Sequence, residues 1–200
     1  MAETYRIIQS PTEGFYKEKG SKFLAYAYAV EQVEEVKPLV EALKKQYYDA
    51  RHHCFAHIIN EGNQQHVRAN DDGEPNHSAG DPILGQIRSF DLVNTLVVVV
   101  RYFGGTKLGV SGLIHAYKTA AEDALSKAKI LTVEIKTDFR MVYPYDKTQD
   151  VMRITNEFGV EIKGQDFTES CLLKGRIEPE LFSAYKDKMA LLDLKPYVGV

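Results

Sequence analysis

The chain has no tryptophan, two cysteines in 200 residues, and no apolar run of membrane-spanning length. Cys54 and Cys171 form neither a CxxC pair nor a metal-ligand spacing, which excludes a disulfide scaffold and a zinc ribbon. Two isolated thiols suit a reducing compartment. The longest notable apolar run, Leu96 to Val100, falls far short of the roughly 20 residues a helix needs to cross a bilayer. The first residues, Met1 to Pro11, lack the apolar core of a signal peptide, so the expected location is cytoplasmic, with no membrane partner. An excess of positive charge is also missing. Lys and Arg total 25 against 28 Asp and Glu, giving a net charge of -3 and a pI near 6.1. Residues 137–200 hold 9 basic against 11 acidic residues, leaving 16 against 17 for 1–136, so neither half is a basic module. That excludes holding nucleic acid by bulk charge and leaves only a local basic patch.

Enough apolar material is present for a core: 44% of residues are hydrophobic and 26% charged. Tyr5 to Ile8 reads as a short strand, and Phe23 to Val30, with aromatic and small apolar residues and no breaker, as a better one. Val33, Val36, Val40, Leu43 and Tyr47 predict a helix, with Pro38 counting against its regularity. His52 to Ile59 reads as a strand, with Gln65 to Ala69 as its hairpin partner across Glu61-Gly62-Asn63. A breaker-rich loop, Asn70 to Gly80, leads to Asp81-Pro82, read as the capped start of a helix to Phe90. Thr95 to Phe103 is a strand whose unbroken β-branched run demands burial of both faces. A glycine loop, Gly104 to Gly112, precedes an alanine-rich helix from Leu113 to about Ala128. Beyond a boundary near Thr132 to Thr137 the order is strand (138–143), helix (146–158), strand (161–167), strand (170–177), helix (179–189) and a short strand near Leu194 to Val198. That is the βαββαβ order of a ferredoxin-like domain. The expected class is therefore α+β in two domains, 1–132 and 137–200.

Three segments carry candidate chemistry. In VVVVRYFGGTKLGVSG a buried strand runs through a glycine loop into a helix, the layout of an anion site at a helix N-terminus. Its candidates for holding phosphate or nucleic acid are Arg101, Gly104, Gly105, Thr106, Lys107, Ser111 and Gly112, with Ser111 as helix cap. The glycine spacing matches neither a Walker loop nor a dinucleotide fingerprint. A tight structural connection explains the same residues. The loop around DDGEP offers Asp71, Asp72, Glu74 and Ser78 as secondary candidates, the carboxylates as hard ligands for Mg²⁺. The competing reading is an acidic turn before a helix. His53 and His57 share one face of a strand, opposite Cys54 and Ala56, but no third ligand stands at zinc spacing, so they read as packing or surface histidines and no metal or cofactor is expected. Nor do Cys54 and a histidine make a recognisable nucleophile pair.

Gly80, Ile83-Leu84, Ile87, Leu92, Val98-Val99, Arg101 to Gly105 and Leu108-Gly109 together resemble the signature of the Impact family, whose bacterial branch is called YigZ-like. Asp71 to Pro75, Ala79, Lys19, Ser21, Phe23, His53, Cys54 and Ala56 extend the resemblance over most of residues 19 to 117. The sequence departs from the family pattern at His77 and Ser78, where Gly-Thr is usual, at Ser111, where glycine is usual, and at His115, where arginine is usual. The resemblance implies an N-terminal domain folded like the second domain of a small-subunit ribosomal protein and a C-terminal domain like one of elongation factor G. Eukaryotic members regulate translation by competing for an activator of an initiation-factor kinase. For this chain the resemblance implies a translation-associated binding protein, with RNA or a ribosome-associated protein as partner. The alternative is a phosphate- or nucleotide-handling enzyme using the Gly104 to Gly112 loop; no catalytic constellation is recognisable, and the sequence does not fix an oligomeric state.

Overall fold

The computed structural model describes residues 4–61, 64–167 and 170–199. They form an α+β protein whose chain divides into two compact units, Tyr5–Val133 and a second that groups Thr4 with the residues from Glu134 onward, so that the outer ends of the strands Thr4–Ile8 and Ile130–Glu134 fall at the division. The expected turn at Glu61-Gly62-Asn63 lies partly outside the described residues, at Gly62 and Asn63.

In the first unit the order is β1 (Thr4–Ile8), β2 (Thr12–Glu18), β3 (Ser21–Ala29), a 3-10 turn (Val33–Glu35), α1 (Val36–Gln46), β4 (His52–Glu61), β5 (Gln64–Asn70), α2 (Gly80–Ser89), β6 (Thr95–Tyr102), α3 (Gly109–Ser126) and β7 (Ile130–Glu134). Five strands make one sheet in the order β2-β3-β6-β4-β5, antiparallel at every step. β1 and β7 pair separately. Central β6 is covered on both sides, as its β-branched run requires. Leu96, Val98 and Val100 meet Val36, Val40 and Leu43 of α1. Val97 and Val99 meet the opposite core, which holds Phe23, Cys54 and Ala56 with Ile83 and Ile87 of α2 and Ala116, Tyr117 and Ala120 of α3. The small side chains of α3 let that helix lie close on the sheet.

Several local expectations shift. β2 was not foreseen: it is a polar edge strand joined to β3 through Lys19 and Gly20, both left-handed (φ +45° and +82°). β7 occupies part of the segment expected as a boundary. Pro38 leaves α1 regular because it falls in the first turn, where its missing N–H has no intrahelical acceptor to lose. β6 ends at Tyr102 and α3 begins at Gly109, so Phe103 leaves the strand, the connection is shorter than expected, and Ser111 and Gly112 belong to the helix.

The second unit runs β8 (Thr137–Tyr143), a 3-10 turn (Tyr145–Lys147), α4 (Thr148–Glu157), β9 (Glu161–Phe167), β10 (Cys171–Ile177), α5 (Pro179–Ala190) and β11 (Tyr197–Val198). Its sheet order, β11-β8-β10-β9, antiparallel throughout, is the ferredoxin-like arrangement. Phe139, Met141, Leu173, Val151, Ile154 and Tyr185 fill its core. No described helix is long and apolar enough to cross a membrane.

Candidate functional site

Two helices start on the same face of the five-stranded sheet, and their first turns are treated differently. The amides that open α2 are met by a carboxylate from the preceding loop. Asp71 Oδ1 accepts from Ala79 N (3.0 Å) and Gly80 N (2.8 Å), and its Oδ2 accepts from His77 N (2.9 Å). Burial alone would raise the Asp71 carboxyl, but the amides of Gly80, His77 and Ala79 outweigh it and hold the group below its ordinary value. Asp81, the expected cap, instead sits inside the first turn, where its carboxylate meets His77 Nδ1 at 2.7 Å. The cap came from a distance because α2 starts at Gly80, before Asp81 could occupy the capping position.

The rest of the acidic loop is equally committed. Asp72 Oδ2 accepts from His53 N (2.7 Å), and its carbonyl meets His52 Nδ1 (2.8 Å). Ser78 is fully buried and donates to Pro75 O. Glu74 reaches the other way: its Oε1 takes Arg101 Nη1 at 2.5 Å and the Tyr117 hydroxyl at 2.8 Å. Asp71, Asp72 and Glu74 therefore point to separate tasks, and no group of metal-ligating residues gathers among the described residues. His53 and His57 do share the α1 face and are both buried, and burial lowers both imidazoles, which keeps them neutral at pH 7. Burial likewise pushes the Cys54 thiol and the Tyr117 phenol up, so neither is a ready nucleophile.

Leu108, the residue before α3, gives no side-chain cap, no side chain among the described residues accepts from the first amides of the helix, and no acidic residue stands in its first turn. The amides of Gly109, Val110 and Ser111 precede the first intrahelical acceptor. Gly109 is left-handed at φ +73°, a turn that only glycine makes without strain. Gly104 is needed for a different reason: a Cβ there would lie 1.9 Å from Gly20 C, so the loop is clamped against the β2–β3 turn. Gly104 N donates to the buried Ser21 hydroxyl at 3.1 Å. Beside this uncapped end lies a cavity of about 500 Å³ lined by Arg51, His52, Glu74, Pro75, Arg101, Phe103, Lys107, Leu108, Gly109, Val110 and Leu113. Of the residues expected from sequence, Arg101, Lys107 and Glu74 reach it; Gly104, Gly105, Thr106, Ser111, Gly112, Asp71, Asp72 and Ser78 are not in its wall. Arg51, His52 and Phe103 are also in the wall; the sequence sets His52 only within the histidine group and Phe103 only within the family signature, and none of the three is expected from it at an anion site. The register places His52 and Phe23 opposite Arg101 on neighbouring strands, while Arg51 and Phe103 lie just beyond the ends of β4 and β6.

Arg101 organises the cavity. Its side chain is 8% exposed, its guanidinium lies 5.6 Å over the Phe23 ring and 5.7 Å over the Phe103 ring, and its Nε has no hydrogen-bond acceptor among the described residues. Three cations, Arg51, Arg101 and Lys107, thus face one carboxylate that is already paired.

A family model described as the Impact N-terminal domain matches residues 19–125. The chain is 30% identical over 175 residues to an IMPACT family member of Haemophilus influenzae, covering 86% of this chain and 84% of that one. It is 28% identical over 189 residues to IMPACT family member YigZ of Escherichia coli, covering 94% and 93%. A Saccharomyces cerevisiae protein, Protein IMPACT homolog, is 30% identical over 123 residues, covering 58% of this chain and 48% of the yeast protein. A crystal structure described as that of a hypothetical protein superposes with a TM-score of 0.72 at 26% identity, covering 100% of this chain and 98% of that one.

Proposed function

The chain belongs to the Impact family, and from that premise we propose that it is a translation-associated regulatory protein that grips its ligand by phosphate at the open end of α3. One observation carries the reading: an uncapped helix N-terminus opens beside a cavity walled by Arg51, Arg101 and Lys107. Helix amides and the positive end of the helix dipole favour an anion, and the cations add long-range attraction. The family match, 19–125, falls within the unit that holds this cavity, so we assign 1–132 as the Impact-type domain and 137–200 as a ferredoxin-like companion domain. A role in translation is supported by the activity of eukaryotic members, and RNA is the partner we assign, because its phosphates would match the cations at this end. The protein acts in the cytoplasm.

The geometry supports binding ahead of catalysis. The cavity's carboxylate, Glu74, already accepts from Arg101 and Tyr117, which leaves it poorly placed as a general base. Gly104, Gly105 and Thr106 act in this account by shaping the loop that carries Lys107.

Titration with a labelled single-stranded RNA at low salt tests the proposal. About two phosphates engaged gives a slope of log K against log salt near -1.4. The net charge of -3 keeps affinity modest. Lys107→Ala should weaken binding about fivefold to tenfold for the loss of one phosphate contact. Equal binding by wild type and Lys107→Ala, or no salt dependence, would refute it. Arg101→Ala is the poorer probe, since it strands Glu74 without its partner.

A further inference from the structure

The cavity is only partly suited to a bare anion. Beside its cations stand apolar groups that a phosphate does not need: Leu108, Val110 and the ring of Phe103. Phe103 is 55% exposed and Val110 52% exposed. Phe103 follows the last residue of β6, and the Arg101 guanidinium lies over its ring, which limits the orientations that ring can take. A volume of about 500 Å³ is many times that of a phosphate, and lies within the roughly 300–1,000 Å³ typical of small-molecule sites.

We propose that the cavity takes a nucleoside phosphate unit, with the phosphate on the Gly109 and Val110 amides and Lys107 and the base stacked against Phe103. The inference rests on the phosphate-binding reading above and adds the chemistry of the rest of the ligand. A base in a duplex has both faces covered by its neighbours and cannot stack on a side chain. The unit is therefore either a free nucleotide or an unpaired nucleotide of a strand. The cation-rich wall and the apolar wall meet at Arg101, so one guanidinium borders both halves of the ligand. Stacking is tolerant of base identity, because every base offers a π-face, so little sequence preference is expected.

Four probes decide the matter on the full chain at low salt: inorganic pyrophosphate, a mononucleotide, a single-stranded RNA decamer, and the same decamer in a duplex. Wild type should bind the mononucleotide and the single strand more tightly than pyrophosphate and the duplex, respectively. Phe103→Ala should weaken both preferred probes about tenfold and leave pyrophosphate unchanged. Phe103→Tyr should restore them. Phe103 is too exposed for its truncation to threaten the fold. If the decamer exceeds the mononucleotide more than tenfold the natural source is nucleic acid; comparable affinities point to a free nucleotide, and either result supports the proposal. If pyrophosphate binds but Phe103→Ala changes nothing, or the duplex binds as well as the single strand, the stacking inference is overturned while the anion site survives. If no probe binds, the phosphate reading falls and takes this inference with it.

Discussion

The first turns of α2 and α3 sit over the same sheet, yet one is closed by the protein's own carboxylate and the other is left open. Asp71 supplies to α2 what a phosphate would supply: an anion on three amides. At α3 the first amides have no side-chain acceptor among the described residues, and the cavity beside them holds three cations and a single carboxylate, Glu74, that is already paired. The same short loop serves both ends, since Glu74, three residues after Asp71, holds Arg101 at the α3 cavity. A helix N-terminus alone says little about function. The proposed phosphate site rests on the contrast between a filled and an unfilled one on a common scaffold, together with the cations beside the unfilled end.

The largest expected effect comes from breaking the link between the two ends. Glu74→Ala leaves Arg101 buried without its partner and should cost about 3–5 kcal/mol of unfolding free energy, measured by denaturant titration. Next is Asp71→Ala, which strands three amides and should cost about 2–3 kcal/mol. Asp71→Asn, which keeps one acceptor oxygen, should lose less. The Asp71 carboxyl is lower in the folded state than the ordinary 3.8. Its contribution is therefore complete above that value and disappears as pH falls through the depressed folded value, so Asp71→Asn should flatten the acid limb of the stability curve. Ser111→Asp copies the α2 solution onto α3. Ser111 is exposed, so the substitution should stabilise the protein by about 0.5 kcal/mol through the helix dipole. It should also abolish phosphate binding, a gain in stability coupled to a loss of ligand. Smallest is Lys107→Ala, an exposed change expected to move stability by less than about 0.5 kcal/mol. A larger shift would mean that Lys107 supports the loop.

Sequence periodicity sufficed for the elements whose pattern is set by burial. The valine run of β6 and the strand–helix order of the second unit are visible because hydrophobic spacing encodes them. β2 escaped because it is a polar edge strand, and such a strand shows little apolar alternation. The start of α3 was misplaced because Gly109 and Gly112 read as loop, although a left-handed Gly109 is what lets the helix begin there. The candidate site was half legible: Arg101 and Lys107 lie in a recognisable strand–loop–helix segment. Phe103 lies in the same segment without a role that its spacing reveals, the place of His52 beside Arg101 required the strand register, and the cap of α2 by Asp71 required a contact eight and nine residues along the chain. Long-range contacts of that kind leave no periodic trace.

The central claim, that α3 offers an unfilled anion site while α2 is filled, is tested most directly by following backbone amide resonances during a pyrophosphate titration at low salt. Saturable shifts are expected at Gly109 and Val110, reversed by added salt, with His77, Ala79 and Gly80 nearly unmoved because Asp71 already occupies them. Equal shifts at both helix starts, or none at α3, would contradict it.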